Sequence, residues 1–349
     1  VDIAIVSLGT TMGWRRSDEA LAEHFEAAGA SCELRPMRLG PARHLQRSMA
    51  LTDAVQSLAA RRAARGVDAR AVVYSSVTAA LLQPPRHPHA VRFDTIAALS
   101  RPGLGGAWQR RRERSVLGRA DLLLPWSEAA ATAAAGVARG GPPQVVLPCV
   151  VDASAEPARD APDATAYAAN PDKRGLDVLC EAWRLGAPDG ARLVVGGIER
   201  TDALRWLERH EMNPPPSVDF AGAVAREQWT ALVAGARIYV SAARYEDWGV
   251  AQMEALAAGT PLVTLPTPGP NAALPLALGL APQLVAPTMG VQALADAIRI
   301  GLALDEDARA RYATEARRQL EPFSDAALRK VVADRVVPAL LESAASRDR

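Results

Sequence analysis

Apolar positions along the chain follow two alternating spacings. Short strand-like runs occupy residues 3–8, 32–36, 71–75, 90–93, 121–125 and 144–148. Between them lie alanine-rich segments at 17–28, 50–64 and 108–117, whose apolar positions recur at helical intervals. Ser17, followed by Asp18 and Glu19, predicts a helix N-cap with acids in the first turn. Residues 151–165 (VDASAEPARDAPDAT) then break the pattern. Two prolines, aspartates at 152, 160 and 163, and no apolar period predict a linker. Strand-like runs resume at 166–169, 192–195, 218–220, 237–241 and 262–265, each followed by a helix-like stretch. The triplet 305–307 (DED) reads as an acidic helix start. Residues 324–343 form one amphipathic pattern with Leu328, Val331, Val332, Val336 and Leu340 on its apolar side. Strands alternating with helices predict an α/β chain with parallel, doubly wound sheets. Two such halves about a linker predict two Rossmann-like lobes that bind ligands at the carboxyl ends of their strands.

Composition narrows the classes. A chain of 349 residues fits two domains of ~150 residues, and 49% hydrophobic with 23% charged residues excludes wholesale disorder. The formal charge of +1 supplies no global field for nucleic acid. Charge is nonetheless split: residues 1–150 carry 19 basic and 12 acidic side chains, the remainder 21 and 27. Cys32, Cys149 and Cys180 lie far apart and form no C-x-x-C knuckle, so a reducing, cytoplasmic location is expected. No apolar run approaches the ~20 residues of a spanning helix, and no basic segment precedes the first strand as a secretion signal would require. The five histidines lack metal-ligand spacing, and no aspartate pair closes a strand, so metal-independent chemistry is expected. The stretch from Trp108 to Arg119 (WQRRRERSVLGR) carries five arginines and a tryptophan on a predicted helix. It is either a solvated basic face or a peripheral contact with an anionic inner membrane face.

The most informative segment spans residues 237–264. A strand ends at Ser241, a polar loop follows, and Gly249 precedes a helix predicted over 250–258 that stops at Gly259. Such a helix start offers free N–H groups to a diphosphate. Glu246 stands just before it and Glu254 eight positions later, inside it. Carboxylates beside an anion site repel phosphate, so these two must accept hydrogen bonds from hydroxyls, as on a ribose or a sugar.

The run E-D-W-G-V-A-Q-M-E-A-L-A-A-G-T-P-L-V resembles the E-x7-E signature of retaining glycosyltransferases of the GT-B fold, particularly family 4. The resemblance implies that Glu254 binds the ribose of a nucleoside-diphosphate sugar and Glu246 the transferred sugar. The backbone of Trp248, Gly249 and Val250 would meet sugar and diphosphate. Val218-Asp219-Phe220-Ala221-Gly222 and Val224 resemble the strand and loop beside the base, and Gly196-Gly197 the phosphate-side turn. Lys173-Arg174-Gly175 resembles the family's Lys-Gly turn, with Arg174 in the lysine's place as the principal cation for the leaving diphosphate. Lys173 is the second candidate, with its side chain expected toward solvent. Ala168 stands where the family carries a further arginine, and Asn170 or Lys173 are the candidates to compensate. Gly9, Thr10 and the following residues replace the family's paired-glycine loop, as a ligand approach or a plain turn. Phe93 replaces the family histidine, and Asp94 is a candidate for the acceptor hydroxyl or else a helix cap.

The implied fold is GT-B, two lobes with an interlobe cleft. Residues 1–157 would form the acceptor-side domain, 158–322 the nucleotide-sugar domain, and 323–349 a helix crossing back to the first. The implied activity is metal-independent, retaining, hexosyltransferase-like transfer from a nucleoside-diphosphate sugar, a substrate and not a cofactor. The acceptor would be a hydroxyl on a glycan, a lipid-linked molecule or a small molecule. The absent histidine and arginine keep open a non-catalytic nucleotide-sugar binder or scaffold partner.

Overall fold

The computed structural model describes residues 1–9, 12–40, 44, 48–84, 88–138, 141–151 and 156–347. Its elements begin with β1 (Ile3–Ser7), α1 (Met12–Ala27), β2 (Cys32–Pro36), α2 (Met49–Ala63), β3 (Ala71–Tyr74) and α3 (Val77–Ala80). β4 (His89–Phe93), α4 (Ala97–Ser100), α5 (Ala107–Leu117), β5 (Leu122–Pro125) and α6 (Glu128–Val137) follow. The second series runs β6 (Ala164–Tyr167), α7 (Pro171–Arg174), α8 (Leu176–Gly186), β7 (Leu193–Gly196), α9 (Arg200–Arg209), β8 (Val218–Gly222) and α10 (Arg226–Gly235). It continues through β9 (Ile238–Ser241), α11 (Val250–Ala258), β10 (Leu262–Thr264), α12 (Ala273–Leu280), α13 (Val291–Leu302) and α14 (Glu306–Leu320). The chain closes with α15 (Asp325–Val331) and α16 (Val337–Arg347), joined by five π-helical residues.

The chain divides into two units, Val1–Val150 with Phe323–Arg349, and Val151–Pro322. Each is built on a parallel five-stranded sheet, in the orders β2-β1-β3-β4-β5 and β10-β9-β6-β7-β8. In the first sheet both faces are buried, as parallel sheets require. Ile3, Ile5, Val73, Ala90 and Leu124 pack on Leu21 and Phe25 of α1 and on Leu328, Val332, Val336 and Leu340 of the last helices. Ala4, Val6, Val72, Val91 and Leu123 face the opposite layer, with Ala60, Val116, Leu117, Ala130 and Ala134. In the second unit α8 buries Leu176, Leu179, Cys180 and Trp183 and packs chiefly on α13.

Three expectations from the sequence are corrected. Ser17 does not cap a helix, because α1 already starts at Met12. Its hydroxyl instead accepts from Arg92 Nη1 (2.7 Å) and lies 3.2 Å from Cys149 Sγ. Asp18, fully buried, takes the Ser7 hydroxyl and stands 3.6 Å from Arg92. A buried arginine therefore uses residues that look like a capping sequence. The run 144–148 forms no sixth strand. It lies along β5 through Val145 N–H to Leu123 O (3.0 Å) and Leu147 N–H to Pro125 O (2.8 Å), while Pro143 and Pro148 have no N–H to extend a ladder. β6 starts at Ala164, inside the stretch read as linker, because it is the central strand of the second sheet.

Candidate functional site

The site in the second unit lies at the carboxyl ends of β6, β7, β8 and β9. After β9, the chain carries Glu246 inward to 3% exposure, and its N–H donates to Pro268 O (3.0 Å). Trp248 is buried, with its carbonyl accepting from Ala272 N–H (3.1 Å). Gly249 precedes Val250, the first residue of α11, at φ +89°; a Cβ there would fall 2.8 Å from Asn271 Oδ1. Only glycine meets both demands. Buried amides fix this helix start: Asn271 Nδ2 donates to Gln252 Oε1 (3.2 Å) and Gln252 Nε2 to Ser241 Oγ (2.7 Å). Asn271 and Gln252 were missed from the sequence, where nothing local marks two amides 19 residues apart as partners.

Facing this loop is the turn after β6. Asn170 Oδ1 caps α7 by accepting from Lys173 N–H (3.0 Å), so its amide serves the turn. Gly175 ends α7 at φ +64°, with Ala242 O close against the place a Cβ would take. The two segments are crosslinked by charge. Arg174 pairs with Glu246 and Lys173 with Asp247 (2.5 Å), while Arg244 pairs with Asp177 and donates to Asp172 O (2.9 Å). Lys173, expected toward solvent, is therefore held by Asp247 at 33% side-chain exposure. Arg174 also lies 6.0 Å over the Tyr167 ring. Ala168 is fully buried and brings no cation. Burial pushes the Glu246 carboxyl above the usual carboxylate range; Arg174 and then Lys173 oppose that shift, and Asp247 adds to it.

Glu254, inside α11, pairs with Arg226, the first residue of α10. Arg226 was missed as well; its only local signal is a basic residue shortly after the Gly222 turn. Gly197 follows β7 and Gly222 ends β8, and the two clasp each other, Gly197 N–H to Gly222 O at 2.8 Å. Ala223 N–H donates to Glu199 Oε1 (3.2 Å), and Val224 is half-buried beyond it. An open cavity of about 360 Å³ lies here, lined by Gly197, Ile198, Glu199, Trp206, Arg209 and Ala223 among others.

The remaining candidates sit in the first unit. Gly9 follows β1 at φ +52°, beside Arg15 and Ser7. Thr10 lies outside the described residues. Phe93 is core, and Asp94 follows it half-buried at the end of β4. In α5, Trp108 packs on the core, Arg112 donates to Leu81 O (2.8 Å) and Arg110 to Gly103 O (2.8 Å). Arg111, Arg114 and Arg119 are exposed, as is Leu104 at 93%. Among the described residues no helix is long and apolar enough to cross a membrane. Nor do three or more His, Cys, Asp or Glu side chains converge as a metal site there.

In the second unit, then, two inward carboxylates, each ion-paired with an arginine, flank a helix start at the end of a parallel sheet. That chemistry accepts hydroxyl donors while offering cations and N–H groups to an anion. Residues 164–303 match the family model for glycosyl transferases group 1. Among solved structures, the chain is similar to sucrose-phosphate synthase (tll1590) from Thermosynechococcus elongatus. That match has 17% identity and a TM-score of 0.74, covering 95% of this chain and 97% of that one. WaaG, a glycosyltransferase involved in lipopolysaccharide biosynthesis, matches at 14% identity and a TM-score of 0.71, covering 96% and 99%. Anabaena Alr3699/HepE, solved in complex with UDP and glucose, matches at 15% and 0.68, covering 96% and 99%. No curated protein matches the chain by sequence. The fold is GT-B, and together with the match of residues 164–303 to the group 1 family model it supports a glycosyltransferase.

Proposed function

We propose that the protein is a retaining, metal-independent glycosyltransferase that moves a sugar from a nucleoside-diphosphate sugar to a hydroxyl acceptor. The observation that carries this reading is the paired arrangement about α11, with Arg174 on Glu246 and Arg226 on Glu254. Glu254 takes the ribose and Glu246 the hydroxyls of the transferred sugar. Arg174, Lys173 and the N–H groups of Gly249 and Val250 stabilise the diphosphate as it leaves. Charge on the leaving group is greatest after the sugar departs, so these donors act more strongly in the transition state than on bound donor. The acceptor attacks from the face the diphosphate vacates, and no protein nucleophile is required. Gly197, Gly222 and Val224 border the base, Gly9 and Thr10 belong to the donor site, and Asp94 meets the acceptor hydroxyl. A neighbour solved with UDP-glucose supports a nucleotide sugar as donor.

The same reading places the chain in the cytoplasm, with a glycan, lipid-linked or small-molecule acceptor. Peripheral membrane contact, if made, uses exposed Arg111, Arg114, Arg119 and Leu104; Trp108 is committed to the core. The test is a thermal-shift panel of UDP, GDP, ADP and dTDP with an assay of donor hydrolysis without acceptor. A ligand at 100 times its Kd stabilises by ~2.7 kcal/mol, so one base should stand out. No shift with any of the four refutes the donor assignment. Binding without release of free nucleoside diphosphate, with or without acceptor, favours a scaffold role.

A further inference from the structure

Helix α2 has two apolar faces, and only one of them is covered. Asp53, Ser57 and Ala60 are buried against the first unit, where Ala60 joins the core and Ser57 Oγ donates to Thr78 O (2.9 Å). On the opposite side of the helix Leu51, Val55, Leu58 and Arg62 recur at helical intervals. Leu51 and Leu58 are 50% and 48% exposed, Met49 at the helix start is 56% exposed, and Val55 is half-buried. A surface helix ordinarily turns polar residues outward; α2 turns a row of large apolar side chains to water.

The charge around that row is of one sign. Residues 34–67 contain seven arginines and a single acid, Asp53. Asp53 is buried and already paired with Arg101, whose Nε and Nη2 donate to it at 3.0 and 3.3 Å. Arg61 and Arg62 in the last turn of α2, and Arg65 just beyond it, are exposed. By contrast α5 brings arginines without an apolar row, since Trp108, Val116 and Leu117 all pack in the core.

We infer that the outer face of α2 is a docking surface for an anionic lipid bilayer: Met49, Leu51, Val55 and Leu58 enter the boundary between headgroups and acyl chains, while Arg61, Arg62 and Arg65 meet anionic headgroups. The apolar row gains by leaving water, and the negative surface potential favours each cation. A second copy of the chain fits the face poorly, because it would set arginines against arginines. Nucleic acid would leave the leucine row uncovered. The anchor rests on the peripheral membrane contact of the proposed function and adds to it the element that inserts; the transfer chemistry of the second unit is not involved.

Co-sedimentation with vesicles of phosphatidylcholine alone, and of phosphatidylcholine with phosphatidylglycerol, tests this role. The wild type should partition about tenfold or more in favour of the phosphatidylglycerol vesicles, less so as salt rises. Leu51→Ser/Leu58→Ser should lower that partition about tenfold or more. Arg61→Gln/Arg62→Gln/Arg65→Gln should lower it by a similar factor. All five positions are exposed, so melting temperatures should stay near that of the wild type. Binding that the leucine variant retains overturns the inference and leaves the contact to the α5 arginines and Leu104. Equal partition onto neutral vesicles overturns the charge complementarity on which it stands. Absence of binding to either vesicle overturns the membrane contact itself. A dimer in sedimentation equilibrium that Leu51→Ser/Leu58→Ser dissociates assigns the face to a second copy and overturns the lipid role.

Discussion

Replacing Arg174 with alanine removes the largest compensating charge on a carboxylate that is 3% exposed. Two charges about 4 Å apart at an effective dielectric of about 20 attract by ~4 kcal/mol, and removing one partner of a buried pair costs ~3–5 kcal/mol. Arg174 is 22% exposed and Lys173 also faces Glu246, so the loss should fall toward the low end, ~2–3 kcal/mol. It is also capped, because an unpaired Glu246 escapes by taking up a proton. In the wild type the folded carboxyl already sits above its unfolded value, so stability falls as pH rises from the ordinary carboxylate range through the raised folded value. Without Arg174 the folded value rises further and the falling limb extends toward neutrality. Melting temperatures of wild type and Arg174→Ala should therefore nearly coincide near pH 4 and diverge toward pH 8. Initial rates with the true donor give the second readout. Arg174→Ala should lower kcat about 100-fold or more, as loss of one such donor does. Lys173→Ala, removing a cation held by Asp247 at one-third exposure, should cost under about fivefold. A melting difference independent of pH would refute the electrostatic account. Near-wild-type turnover in Arg174→Ala with loss in Lys173→Ala would transfer the phosphate role to Lys173.

Glu254→Gln should weaken nucleoside-diphosphate affinity and Glu246→Gln mainly slow transfer, each by roughly 10- to 150-fold; equal loss of affinity in both contradicts the division of roles. Gly175→Ala forces a side chain into a left-handed turn directly against Ala242 O, so it should destabilise the second unit by at least ~1–3 kcal/mol and lower kcat by displacing Arg174. Denaturant unfolding and initial rates read both effects, and an unchanged midpoint argues against the turn's rigidity. Leu340→Ala deletes a fully buried side chain from the layer against β1 and α1, for a loss of ~2–5 kcal/mol by urea titration; a loss under ~0.5 kcal/mol would mean that α16 contributes little to the first unit's core.

Features that depend on near neighbours in the chain were legible in the sequence. Alternation of apolar runs with helical spacing specified two parallel sheets, since a strand buried on both faces and a helix with one apolar stripe leave different periods. α11 occupies the expected residues between Gly249 and Gly259 because both caps adopt a left-handed conformation. Asp305 caps α14 by accepting from Ala308 N–H at 2.7 Å, again a local event. The eight-residue spacing of Glu246 and Glu254 pointed to the segment on which the proposed function rests. Partnership was decided only by the tertiary structure. Arg174 reaches a carboxylate 72 residues away, and Arg226 one 28 residues away; no periodicity encodes which cation faces which acid. Ser17 and Asp18 show the same limit. Their local pattern reads as a helix cap, but Arg92, buried 75 residues along the chain from Ser17, is the stronger claimant because an unpaired buried guanidinium costs more than an uncapped helix end.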